Sequence, residues 1–241
     1  MTETWFWFQH RQSPAVQSPE EIKQEPLLLE EVVQSPAVEP LGEITETIRY
    51  AVPFTSQAPT GDWTKSAFQD GCEEASSIMV WMVRTGKTMT REEVRVKLID
   101  MAKFQEKLLG HGVDTNIEDT NEYLLKQYFE ITDALIVEDI ALEDLKEALL
   151  DGLVIVPTNG QALGNPNFTP PGPLQHMLVL IGYDVATKEF ITNDPGTRFG
   201  QDYRYPEQVL FDAIREYPTG KHLPVTTGAK SMIVVPFQEK T

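Results

Sequence analysis

Gly71-Cys72-Glu73-Glu74-Ala75-Ser76-Ser77-Ile78-Met79-Val80-Trp81-Met82 follows a loop-like Gln69-Asp70 pair and reads as the entrance of a buried helix. Ala75, Ile78, Met79 and Met82 recur at the three- and four-residue spacing of one helix face, which predicts a helix over residues 72–84. Its first residue is the only cysteine in 241 residues. A lone cysteine forms no intramolecular disulfide, and the chain has no Cys/His spacing suited to zinc, so neither a sulfur staple nor a metal is expected. Two readings remain for Cys72. It is a small buried hydrophobe, or it is a thiol at the positive end of a helix dipole, where the thiolate is stabilised.

Working outward, Thr90-Arg91-Glu92-Glu93 is a capping-box pattern, and Val94, Leu98, Met101 and Leu108 then share a helix face that Gly110-His111-Gly112 ends. Helical patterns follow at 120–129 and 142–150, separated by a strand at 134–137. After Gly152 the period changes. Leu153-Val154-Ile155-Val156 reads as a buried strand, residues 159–173 as a long Gly/Pro/Asn loop, and 176–183 and 189–192 as two strands of a hairpin. A helix at 205–216 and a strand at 231–237 close the pattern, and upstream residues 50–54 read as a short edge strand. Helices first and antiparallel strands later describe an α+β domain, with a helical N-terminal half, Cys72 at a helix N-terminus, and an antiparallel sheet in the C-terminal half.

Residues 1–48 form a different class of sequence, an acidic Pro/Gln/Glu-rich tail in which Gln-Ser-Pro-Ala-Val occurs at 12–16 and again at 34–38. It has too little patterned apolar surface to offset its ordering entropy and is expected to be disordered, leaving 49–241 as the folded domain. Trp5-Phe6-Trp7-Phe8 is too short for a membrane span or a signal-peptide core; it reads as a partner-docking anchor or as an apolar stub. The net charge of −17 argues against nucleic acid and anionic membranes. No apolar run reaches membrane-spanning length. The expectation is a soluble protein, cytoplasmic for want of a signal-peptide pattern, with a secreted or cell-envelope protein as the alternative.

Of the four histidines only His176 opens an apolar strand, where a fixed backbone suits a general base. Its bland reading is a polar residue closing a loop. Asp194, in Asn193-Asp194-Pro195-Gly196, follows the returning strand, so the hairpin brings it to the same end of the sheet. A carboxylate there can hold an imidazole tautomer, although Asp-Pro-Gly is also an ordinary turn.

Val52-Pro53-Phe54-Thr55-Ser56-Gln57, Gly71-Cys72-Glu73-Glu74-Ala75-Ser76, Gln175-His176-Met177-Leu178-Val179-Leu180-Ile181-Gly182-Tyr183-Asp184 and Asn193-Asp194-Pro195-Gly196 together resemble the peptidase C39-like family of papain-fold cysteine peptidases, a bacterial family. The resemblance implies a Cys72-His176-Asp194 triad that hydrolyses peptide bonds through a thioester acyl-enzyme, without a cofactor, with a peptide or protein as substrate. It also implies an oxyanion-binding glutamine, Gln57 by its place in the motif or Gln69 by its nearness to Cys72. A silent peptide-binding module and an amidase or transpeptidase acting on cell-wall peptides are the alternatives. Glu73 and Glu74 suit the first turn of a helix, but two carboxylates beside a thiolate oppose its ionisation. They either cap the helix or favour a substrate with a basic group.

Overall fold

The computed structural model describes residues 44–110 and 114–238. The tail up to residue 43, with its aromatic stub, and His111 lie outside the described residues. A short strand β1 (Ile48–Arg49) and a single-turn helix α1 (Ser66–Gln69) precede the long helices α2 (Cys72–Thr85) and α3 (Arg91–Leu109). Next come α4 (Ile117–Asp119), which runs into a π-helical segment at Thr120–Tyr128, then β2 (Leu135–Glu138) and α5 (Leu142–Asp151). Four strands follow, β3 (Gly152–Thr158), β4 (His176–Asp184), β5 (Glu189–Asn193) and β6 (Tyr203–Pro206), and α6 (Glu207–Ala213) and β7 (Ser231–Pro236) complete the domain.

Local chemistry sets the helix ends. The Thr90 hydroxyl accepts from the Glu93 N–H while the Glu93 carboxylate accepts from the Thr90 N–H, so the expected capping box starts α3. Gly110, with φ of 79°, stops it in the left-handed conformation that glycine adopts without strain.

The strands form one antiparallel sheet in the order β2-β7-β3-β4-β5-β6, with β1 paired to β4 outside that path. Side chains alternate across β3 and β4. Leu153, Ile155, Met177, Val179 and Ile181 pack with Ile78, Met79 and Leu98 of α2 and α3 in one core. Val154, Val156, Leu178 and Leu180 pack with Leu145, Leu149 and Leu210 of α5 and α6 in another. Both faces of the central strands are thus covered, which is why they read as near-continuous apolar runs rather than as alternating ones. Each fully buried Leu, Ile or Met contributes about 2 kcal/mol, and α2 packs its buried face against β4.

Three expectations need correction. Residues 50–54 are not a strand: pairing with β4 occurs at Ile48 and Arg49 instead, and after the Tyr50 N–H donates to Ile181 O (2.8 Å) the chain leaves the sheet, with Pro53 lacking an N–H to donate. Tyr205 does not start a helix. It lies in β6, and α6 begins only after Pro206, whose φ of −50° occupies the N-cap position. The helix expected at 120–129 is wound with π geometry and is entered through α4, where the Asn116 side chain accepts from the Asp119 N–H.

Candidate active site

The β4–β5 hairpin carries the first pair of candidate residues. Val179 stands opposite Asn193, so Asp194 leaves β5 at the end of the sheet where His176 enters β4. There His176 Nε2 lies 2.7 Å from Asp194 Oδ1, and both side chains are buried. The Gly196 N–H donates to the same Oδ1 at 2.9 Å. Asp194 Oδ2 accepts from the Tyr205 hydroxyl at 2.6 Å and from the Asn165 amide at 3.2 Å, and Asn165 also donates to the Tyr205 oxygen at 2.8 Å. Burial works to raise the Asp194 carboxyl, but His176, Tyr205 and the Gly196 N–H outweigh it and hold the group below the ordinary carboxylate range. A buried carboxylate with four donors is an ionised one.

Asp194 occupies Nε2, which leaves the Nδ1 edge of the His176 ring without a hydrogen-bond partner among the described residues. The Phe168 ring meets the imidazole edge to face with centroids 5.4 Å apart. Gly196 is forced by this packing, because a Cβ there would sit 2.9 Å from both His176 Cε1 and Phe168 Cε1. Gly196→Ala is therefore expected to turn one ring away, lowering any activity that depends on the His176 ring by about 10- to 100-fold with little change in melting temperature, as paired kinetics and calorimetry would show.

Cys72 is the first residue of α2, behind Gly71, and lines the same cleft as His176. The cleft is about 1420 Å³ and is also lined by Gln57, Gln69, residues 166–173 of the long loop and residues 196–199 after Asp194. Its walls are tied to one another: the Gln57 N–H donates to Pro195 O at 2.9 Å, the Ser56 hydroxyl to the same oxygen at 3.1 Å, and the Asn193 amide to Val52 O at 3.2 Å.

The Cys72 sulfur is bonded elsewhere. Its thiol donates to Glu73 Oε2 at 3.1 Å, while Glu73 Oε1 accepts from the Tyr217 hydroxyl at 2.7 Å. Burial pushes the Cys72 thiol well up, Glu73 and Asp114 add to the rise, and the neighbouring Met177 amide opposes it. In this resting arrangement the sulfur carries its proton. Glu73 and Glu74 stand in the first turn of α2 as expected, but they are buried, and both are absent from the cleft lining where a basic substrate group would meet them. They belong instead to an acidic cluster with Asp114 behind the cysteine. Burial, with Asp114 and Glu74, raises Glu73 well above its usual range. Burial also takes Glu74 to about 8 and, with Asp70, takes Asp114 to about 7. Donor atoms of Cys72, Glu73 and Asp114 lie within 4.8 Å of one another, as do those of Asp70, Asp114 and His222. Such sets could serve a cation only when their acids are ionised, and burial opposes ionisation of Asp70, Cys72, Glu73 and Asp114.

The two glutamines part company. Gln57 is buried next to Gly71, and its Nε2 donates to Phe68 O (3.1 Å) and Gln69 O (2.8 Å) at the end of α1. Gln69 is turned outward, its Nε2 donating to Trp63 O at 2.7 Å.

An α+β domain with a buried antiparallel sheet, a helix starting at cysteine and a His–Asp pair on the sheet hairpin is consistent with a papain-like architecture. The model of the Peptidase_C39 like family matches residues 49–220. The chain belongs to the peptidase C39-like family. No curated protein is similar enough to count as a match. The family match runs from the last residue of β1 past α6 and stops before β7, and so includes Cys72, His176, Asp194 and the cleft walls.

Asn165 and Tyr205, which hold Asp194, escape the sequence reading. Asn165 sits in a Gly-Asn-Pro-Asn loop where asparagine reads as turn chemistry, and Tyr205 falls in a segment read as helix. A period-two reading of Tyr203-Arg204-Tyr205 would have placed both tyrosines on one face of a strand.

Proposed function

We propose that this C39-like chain is a cysteine peptidase in which Cys72 is the nucleophile, His176 the general base and acid, and Asp194 the residue that orients and stabilises the imidazolium. The observation that carries the reading is the His176–Asp194 pair, locked by Tyr205, Asn165 and Gly196 at a cleft that Cys72 also lines. A structural histidine has no need of four donors converging on its carboxylate partner.

In this reading the thiol turns from Glu73 towards Nδ1 of His176, which takes its proton as sulfur attacks the peptide carbonyl carbon. The carbonyl electrons move onto oxygen. That oxyanion is met by the Cys72 N–H, one of the unpaired donors of the α2 first turn, and by the Gln57 amide after it releases one of its α1 carbonyls. Gln57 is preferred to Gln69 because it is buried beside Gly71, whereas Gln69 faces Trp63. Collapse expels the amine, protonated by His176, and leaves a thioester on Cys72. Water, deprotonated by His176, then cleaves the thioester, releasing the carboxylic product and restoring the thiol.

One observation favours a second reading, a silent peptide-binding module: the sulfur is buried, protonated and bonded to Glu73. Iodoacetamide labelling separates the two. The peptidase is expected to be alkylated at Cys72 at pH 6–7 faster than a free thiol, to lose that advantage in His176→Ala, and to release new amino termini from a mixed peptide library only while Cys72 is intact. Labelling no faster than a free thiol, together with no new amino termini, would leave the silent module standing. Release of amine from cell-wall fragments but not from the library would select the amidase or transpeptidase instead.

A further inference from the structure

The chain has 37 acidic and 20 basic residues, yet among the described residues no Asp or Glu lines the cleft, whereas Arg91 and Arg198 do. Of the seven described arginines, Arg49, Arg84, Arg95 and Arg204 are ion-paired to carboxylates. Arg91, Arg198 and Arg215 are not, among the described residues, and two of these three face the cleft. The carboxylates nearest in sequence are engaged elsewhere: beside Arg91, Glu92 pairs with Arg95 and Glu93 closes the α3 capping box, and beside Arg198, Asp194 holds His176 and Asp202 pairs with Arg49. Unpaired guanidinium groups on so acidic a protein mark the places where a carboxylate from outside is most favoured.

Position strengthens both arginines. Arg91 is the first residue of the 19-residue α3, where the helix dipole adds to its positive field. Arg198 lies over the Phe199 ring with its carbon 4.6 Å from the centroid, which fixes the guanidinium plane and leaves its N–H edge free for a carboxylate. The same cleft also presents apolar surface. Trp63 and Phe199 both line the cleft while remaining exposed, at 42% and 57%. The buried acids Glu73, Glu74 and Asp114 stand behind Cys72 and outside the lining, so they do not offset the arginines at the cleft surface.

From these features we infer that the cleft selects peptides carrying carboxylate side chains next to an apolar or aromatic residue. The inference rests on the proposed peptidase reading for its cleft, but binding and cleavage test the two separately. The probes are fluorescent peptides with one shared aromatic core flanked by Glu, Gln or Lys, titrated into full-length Cys72→Ala by anisotropy. The Glu series is expected to bind about tenfold tighter than the Gln series, with the Lys series weakest. That advantage should shrink with added salt and collapse in Arg91→Gln/Arg198→Gln, whose substituted side chains are exposed and remote from the core. Equal binding of the Glu and Gln series, no binding of any series, or a preference unmoved by the arginine variants overturns the inference. Unmutated protein then distinguishes the two claims. Selective binding of Glu peptides without their cleavage would support the inference and defeat the peptidase reading, whereas cleavage of Gln peptides as fast as Glu peptides would do the reverse.

Discussion

Asp194→Asn is expected to lower kcat/KM on any peptide substrate by about 10³- to 10⁴-fold, equivalent to roughly 4–5 kcal/mol of transition-state stabilisation. The size of the effect follows from how fully the carboxylate is committed. One oxygen serves His176 and the Gly196 N–H, and the other serves Tyr205 and Asn165. An asparagine has one acceptor oxygen and one donor nitrogen for these four contacts. If its oxygen stays on the His176 side, its NH₂ points at the Asn165 NH₂. If it flips, the NH₂ meets Nε2, which drives the ring proton onto Nδ1, the edge that must receive the thiol proton. Neither orientation restores the negative charge that stabilises the imidazolium. Tyr205→Phe removes one of the two donors on Oδ2 and should cost about tenfold, with the loss confined to kcat rather than KM. The measurement is initial-rate kinetics alongside calorimetry. An Asp194→Asn enzyme within tenfold of the unmutated one, still folded, would remove Asp194 from the mechanism.

The acidic cluster behind Cys72 should make the domain less stable as pH rises from about 5 to 8, the reverse of what carboxylates held by cations or N–H donors produce. Glu74 and Asp114 titrate near 8 and 7 in the folded protein because burial opposes their charge, against ordinary values of 4.5 and 3.8. The native state therefore holds more protons than the unfolded chain throughout that window, and stability falls as pH climbs through the folded values. The groups facing the pair are Cys72, Glu73, Asp70, Tyr217, His222 and His176. His222 Nδ1, 3.1 Å from Asp114 Oδ2, offsets part of the effect but sits on an exposed side chain. Asp194 works in the opposite sense: its lowered pKa withdraws stability only as the medium turns strongly acid. Other surface carboxylates are already ionised by pH 5, so they add little slope above it. A loss of about 6 kcal/mol between pH 5 and 8, or roughly 15–20 °C in melting temperature, is expected. Glu74→Gln and Asp114→Asn should each raise the melting temperature at pH 8 and flatten the slope. Glu74 Oε2, buried without a hydrogen-bond partner among the described residues, is where a negative charge would be least supported. A melting temperature that is level or rising between pH 5 and 8 would contradict ionisation-limited stability.

The same cluster bears on reactivity. Ionising Glu73 beside the thiol strengthens the opposition to a thiolate, so the proposed chemistry depends on the carboxyl remaining neutral or on the sulfur turning to His176.

Much of the domain was legible from local pattern. The α2 and α3 helices follow from three-and-four spacing of Ala75, Ile78, Met79 and Met82 and from the Thr90 box, and β3, β4, β5 and β7 follow from short apolar runs between turn residues. What failed was boundary chemistry. Proline at 206 belongs equally to a strand end and a helix start, so local pattern extends the helix back over Tyr205, and β1 is too short to carry a period.

For the candidate site, amino-acid types and order point to Cys72, His176 and Asp194, because a lone cysteine at a helix entrance and a hairpin joining His to Asp are one-dimensional facts, whereas Gln57, with Gln69 as its alternative, enters only through the family resemblance. The partners that define their chemistry were not legible, since they arrive from distant parts of the chain: Tyr205 and Asn165 at Asp194, Tyr217 and Asp114 around Glu73, and the α1 carbonyls at Gln57. Glu73 and Glu74 show the division most plainly. By sequence they are first-turn glutamates suited to a solvent-exposed dipole. Only the packing of α2 against β4 and the rest of its core, with Tyr217 and Asp114 closing over it, removes water from them, and the loss of water turns two surface charges into a buried, protonated neighbour of the thiol.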